Sequence, residues 1–184
     1  MQIQPSRFNI YLACLLTLGM ACGCQSPEKK REKKLSFLRV HMEAQNPIKD
    51  RTPLISVFRA APTQMYVEPR PFVTEESVKD AKVVDTMGGF ALRIELDRSG
   101  RHLLEQYTSA SANKTRRLAI FSRFADPAKD KAELERWLGA PMVSQAITNG
   151  VLTFTPDASR EEAEQIAVGL QNVAKKLGTG KEPW

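Results

Sequence analysis

All three cysteines of this 184-residue chain, Cys14, Cys22 and Cys24, lie at or before residue 24. Whatever folds after that point has no disulfide framework, no thiolate nucleophile and no cysteine metal site. It must be held by an apolar core, and a chain that is 42% hydrophobic can supply one. Setting aside a leader of about 24 residues leaves room for one domain of typical size.

The cysteine-bearing segment has its own pattern. Arg7 is the lone charge ahead of an apolar run, Ile10 to Met20. That run is far shorter than the roughly 20 residues a membrane-spanning helix needs. A short apolar run behind a basic residue and ahead of small residues reads as a secretory signal. Ala21-Cys22-Gly23-Cys24 resembles the bacterial lipobox, in which small residues precede a cysteine that is acylated and becomes the new N-terminus. Cys24 fits best, with Gly23 before it and Ala21 three before; Cys22 is the alternative. Two or three acyl chains anchor stably where one binds marginally. The expected location is a bacterial membrane, inner or outer, with the domain on the periplasmic side.

The formal net charge of +6 is unevenly placed. Residues 28–34 hold five positive and two negative charges, and Arg7 adds another, so residues 35–184 are left near +2. A nucleic-acid surface would need basic residues clustered on the fold itself, so no nucleic-acid partner is expected. Residues 25–34 read as a flexible charged tether suited to anionic headgroups.

The rest of the chain is read for elements. Leu35 to Ala44 alternates, with Leu38, Val40 and Met42 on one side and Phe37, Arg39 and His41 on the other, which predicts a half-buried strand. Strands are expected at 54–58 and 65–67, and a short helix at 74–80. Ala81 to Met87 and Phe90 to Leu96 form a hairpin about Gly88-Gly89. A helix follows over 97–112, with Leu103, Leu104, Tyr107 and Ala110 on one face. Leu118 to Phe124 reads as a central strand, and Asp126 to Leu138 as a charged helix. A second hairpin is expected from Met142–Thr148 and Val151–Thr155 about Asn149-Gly150. The last helix starts on a capping box, Ser159 with Glu162, and ends at Gly178 and Gly180. The sum is a single α+β domain: an antiparallel β-sheet with two main helices packed on one face.

Catalytic chemistry is not indicated. His41 and His102 have no second ligand at metal spacing. Ser99 and Ser122 have no indicated base. Glu161, Glu162 and Glu164 fall on the wet face of an amphipathic helix. No phosphate loop or nucleophile elbow occurs. Asn113-Lys114-Thr115 matches a glycosylation sequon, a chance match if the host is bacterial. The expectation is a protein that is not an enzyme, with no cofactor and no catalytic or metal residue.

A series of short matches then appears in order. Phe72-Val73-Thr74 with Val78 to Ala81, Phe90 to Leu96 with Ser99-Gly100, Thr108 with Asn113, and Leu118-Ala119-Ile120 come first. Ala140-Pro141, Ile147 to Gly150, and Glu162-Ala163 with Ile166-Ala167 and Leu170 follow. Together, residues 71–177 resemble the first periplasmic head subdomain of SecD, an accessory subunit of bacterial protein export. The resemblance implies that fold and a habit of contacting exported polypeptides or an envelope complex. It does not carry over proton-driven motor function, since no second apolar run is long enough to span a membrane. Against that family, Ala125 to Gly139 reads as an insertion. The alternative function is a structural or small-ligand-binding envelope lipoprotein. The expected layout is a signal at 1–24, a tether at 25–34, N-terminal strands at 35–70, the head-like part at 71–177 and a tail at 178–184.

Overall fold

The alternation read from residue 35 onward produces the first strand. The computed structural model describes residues 34–111, 115–129 and 132–178. The chain divides into two units, Met1–Lys30 and Arg31–Trp184, and all described residues belong to the second. Strand β1 (Phe37–Met42) buries Leu38, Val40 and Met42 and turns Phe37 and Arg39 outward. Then come β2 (Leu54–Val57), β3 (Thr63–Tyr66), β4 (Val73–Thr74) and a 3-10 turn (Glu75–Ser77). Strands β5 (Val78–Thr86) and β6 (Gly89–Leu96) lead into helix α1 (Arg98–Ser109). The chain finishes with β7 (Leu118–Ala125), β8 (Glu133–Gly139), β9 (Val151–Phe154) and helix α2 (Arg160–Leu177).

The fold is α+β, with its antiparallel strands divided among three sheets. One has the order β4-β1-β7-β8, one is β5-β6-β9, and one is the β2–β3 hairpin. The inner face of the four-stranded sheet contributes Leu38, Val40, Met42, Leu118, Ile120 and Phe124 to the main core. Leu104 of α1 and Ile166 and Leu170 of α2 meet them there, with Leu92, Ile94 and Leu152 of the three-stranded sheet. Both helices thus serve one face. The other face carries the β2–β3 hairpin, whose Ile55, Val57 and Met65 close over Ala119 and pack against Trp137.

Four local expectations are corrected. The helix at 74–80 is only the 3-10 turn; the Glu75 carboxylate accepts the Leu38 amide at 3.1 Å, and the chain is extended from Val78 on. The first hairpin turns on Met87-Gly88, because Thr86 pairs with Gly89. Gly88 has φ of 90°, a region glycine enters without a Cβ penalty.

The charged helix at 126–138 is instead a loop followed by β8. Asp126 closes the loop by accepting the Ala128 amide on its side chain and donating its own amide to the Ala132 carbonyl. From Glu133 on, side chains alternate: Leu134 and Leu138 turn inward, while Glu133, Glu135 and Trp137 share the outer face with Arg123 and Phe121. Pairing with β7 outweighs the helix preference of Glu and Leu.

The second hairpin does not form. Asn149 accepts the Val151 amide and turns the chain, but β9 pairs with β6 rather than with residues 142–148. Residues 142–147 are held by distant partners: Met142 bridges Arg117, and the Ile147 amide donates to the Thr108 hydroxyl at 2.9 Å. The capping box on α2 forms as read, and the helix ends at Gly178 in the left-handed region.

Candidate functional site

Apolar residues converge where the end of the β2–β3 hairpin meets the ends of β8 and β9. A groove of about 650 Å³ is walled by Phe58, Ala60 and Ala61 on one side and by Ala140, Pro141, Phe154 and Pro156 on the other. Thr63, Thr155 and Asp157 supply its polar groups. Small residues and prolines leave the floor open because they carry little side chain into it.

Phe58 has φ of 67°. Left-handed backbone costs a residue of this kind roughly 1–2 kcal/mol, so neighbouring contacts must hold it. Arg59 does so. Its amide donates to Asp157 Oδ2 at 2.8 Å, and its guanidinium reaches the same carboxylate at 3.3 Å. Asp157 is fixed from the other side as well. Its amide donates to the Leu138 carbonyl at 2.6 Å, and its own carbonyl accepts from Arg136 at 3.3 Å.

Arg136 in turn makes a two-pronged pair with Glu162, at 2.7 and 3.0 Å. Both side chains are largely buried, at 16% and 13% exposure. The Arg136 hydrogen bond holds the Glu162 carboxyl below the usual carboxylate range, against the opposing effect of burial. Glu162 is therefore not on the wet face of α2. One chain of polar contacts ties the hairpin loop, the end of β9 and the start of α2, and so fixes the groove's rim.

A smaller cavity of about 320 Å³ lies beside β1 and α1, lined by Met42, Glu68, Pro69, Arg70, Phe72, Tyr107 and Arg116. Phe72 and Tyr107 stack there at 4.4 Å. Arg116 donates through Nε to the Glu43 carbonyl at 2.9 Å and pairs with Glu68 at 3.4 Å.

A family model described as SecDF, P1 head subdomain, matches residues 52–174. The chain belongs to this family. The match takes in the β2–β3 hairpin, upstream of the point where the sequence resemblance begins. Among solved structures, a SecDF membrane component that enhances protein export aligns at 18% identity and a TM-score of 0.53, covering 93% of this chain and 90% of that one. A SecDF in a super-membrane-facing form aligns at 16% identity and a TM-score of 0.45, covering 90% of this chain and 32% of that one. SecDF from Thermus thermophilus, a translocon-associated membrane protein, aligns at 15% and 0.36, covering 90% and 34%. The chain thus spans about a third of the length of these last two proteins. No curated protein matches it.

Within this SecDF head fold, the residues weighed from sequence are dispersed. His41 is buried, hydrogen-bonded through Nδ1 to the Glu68 carbonyl at 2.8 Å and set edge-on to Trp137 at 5.5 Å. Burial lowers its pKa from the ordinary 6.5. His102 and Ser99 are exposed on α1. Ser122 is buried and donates to the Phe37 carbonyl at 2.8 Å. Glu161 and Glu164 are exposed on α2. Among the described residues no cluster of three metal-capable side chains occurs, and no helix is long and apolar enough to cross a membrane. Cys22, Cys24, Asn113 and Lys114 lie outside the described residues. Sequence reasoning missed Phe58, Arg59 and Asp157. Ala140-Pro141, singled out only as a family match, forms part of the groove wall.

Proposed function

We propose that this protein is a non-catalytic SecD-like head held on a bacterial membrane by lipid at Cys24, or at Cys22, and that it holds extended segments of exported polypeptides. The observation that carries the reading is the open apolar groove between the hairpin loop and the β8–β9 end. Extended peptides dock in apolar clefts or by adding to strand edges, and a shallow groove walled by small residues accepts varied side chains. The chain's family, and the export role stated for a solved SecDF, support the same reading. The domain faces the periplasm. The tether gives it a surface at which to meet a client.

Photo-crosslinking tests the groove. A photoreactive residue placed at Ala61 should capture exported chains in the native envelope, and the same residue at Lys129 should not. Recovery of neither client nor translocon component from position 61 would sink the export role.

The smaller cavity favours a second reading, a small-ligand-binding envelope lipoprotein. It is compact, with stacked aromatic rings and two arginines converging on it. Normal secretion in a deletion strain with a weakened envelope would select this reading over the first.

A further inference from the structure

The chain joins the folded domain across α2, at a notch cut by Gly169. A Cβ at that position would stand 2.7 Å from the backbone nitrogen of Ser36, so only glycine lets residues 34–36 cross this closely. The crossing is held by two hydrogen bonds. The Asn172 amide donates to the Lys34 carbonyl at 2.8 Å, and the Ser36 hydroxyl donates to the Gln165 carbonyl at 3.4 Å. Followed toward the N-terminus, the chain passes helix residue 165 at Ser36 and helix residue 172 at Lys34. From Ser36 to Lys34 it therefore runs toward the C-terminal turn of α2.

That turn carries Lys175 and Lys176, both exposed, and Leu177, which is 54% exposed. Among the described residues neither lysine is in an ion pair. The acids of neighbouring elements are mostly engaged. Glu75 accepts the Leu38 amide, Asp80 accepts from Gln171, and Glu95 pairs with Lys79, leaving Glu76 as the exposed acid of the adjacent turn. The sequence ahead of Lys34 adds Lys29, Lys30, Arg31 and Lys33 against Glu28 and Glu32. Residues 25–33 span at most about 30 Å when fully extended, so a chain anchored at residue 24 cannot stand far from its membrane.

We propose that the C-terminal end of α2 is the surface that meets the membrane, with Lys34, Lys175 and Lys176 on anionic lipid headgroups and Leu177 at the interface. The proposal rests on lipid attachment at Cys24. Basic groups beside a tether are drawn to anionic lipid, and the attraction is screened within a Debye length of about 8 Å at physiological salt. One consequence concerns the groove. Its rim is tied to the opposite end of α2 through Arg136 and Glu162, and an 18-residue helix is about 27 Å long. The groove is thereby held away from the lipid and open to the periplasm.

Lysine footprinting tests this directly. The chain from Cys24 onward, which contains the whole folded unit, is made without its leader and coupled through that thiol to maleimide-bearing lipid. Vesicles contain phosphatidylglycerol with phosphatidylcholine, or phosphatidylcholine alone. Acetylation of each lysine is then followed by mass spectrometry. Lys34, Lys175 and Lys176 should react at least about threefold more slowly on the anionic vesicles at low salt, and the difference should vanish in about 0.5 M salt. Lys49 and Lys129, exposed on the β1–β2 and β7–β8 loops, should keep their rates. Equal rates at Lys175 and Lys176 on both vesicles, or slowing at Lys49 or Lys129 instead, overturns the proposal. Because the lipid is attached in vitro, a native Cys24 found without acyl chains would refute the anchor and leave this readout intact.

Discussion

At the scale of single residues, the largely buried Glu162 and the buried His41 both make stability fall in acid. The Arg136 hydrogen bond keeps Glu162 ionised below the usual range, so the folded pKa lies under the unfolded one. The pair's stabilisation is complete above about pH 4.5 and drains away as pH falls through the folded value. Glu162→Gln should cost about 2 kcal/mol at pH 7, because it leaves a largely buried guanidinium without its counter-ion. The gap between variant and parent in denaturant midpoint should narrow below pH 4.5; a constant gap would contradict the assignment. His41 obeys the same sign for a different reason. Burial disfavours its charged form, so its contribution is full above the ordinary value of 6.5 and falls as acid forces a proton onto it. An NMR titration should place its midpoint below 6.5, and a midpoint above that would show the ring is not desolvated as described.

At the scale of elements, β8 owes its form to pairing with β7 and joins the two faces of the sheet. Trp137 links two things that the sequence gives no means to connect: the outer face of the four-stranded sheet and the β2–β3 hairpin. Trp137→Ala should cost about 3 kcal/mol and raise hydrogen exchange in β2 and β3 more than in β5 and β6. Uniform exchange across the molecule would mean the hairpin does not depend on this contact. The composition of β8 suits a helix. Glu133, Glu135 and Arg136 are good helix formers, and the inward Leu134 and Leu138 are four apart, a spacing that suits a helix as well as a strand. What decides is pairing with β7, from Ala125 opposite Glu133 to Ile120 opposite Gly139, which the periodicity of residues 126–138 alone does not report. Residues 142–150 fail similarly: Asn149-Gly150 is a genuine turn, but its strand pairs with β6, far back in the chain. By contrast β1, β7, α1 and α2 were legible as elements, the strands from their apolar positions and the helices from local caps, although α1 buries Gly100, Leu104 and Thr108 and leaves Tyr107 and Ala110 of the expected face exposed. The groove was not, since it is made by loop residues brought together from three segments.

At the scale of the whole molecule, the placement of the cysteines governs. The fold is held by one apolar core and a satellite cluster under the hairpin, with no crosslink available past residue 24. The unfolding midpoint of the domain should therefore be the same with and without a reducing agent; a shift on reduction would show that a disulfide contributes. The same placement makes Cys24 available for the proposed lipid attachment, the point at which this SecDF-family head would meet a membrane. The mass of the N-terminal peptide of the protein recovered from its native envelope tests that claim most directly. The account predicts a chain that begins at Cys24, or at Cys22, and carries a diacylglyceryl group on sulfur. An unmodified N-terminus at any other residue, or an intact leader, would contradict it.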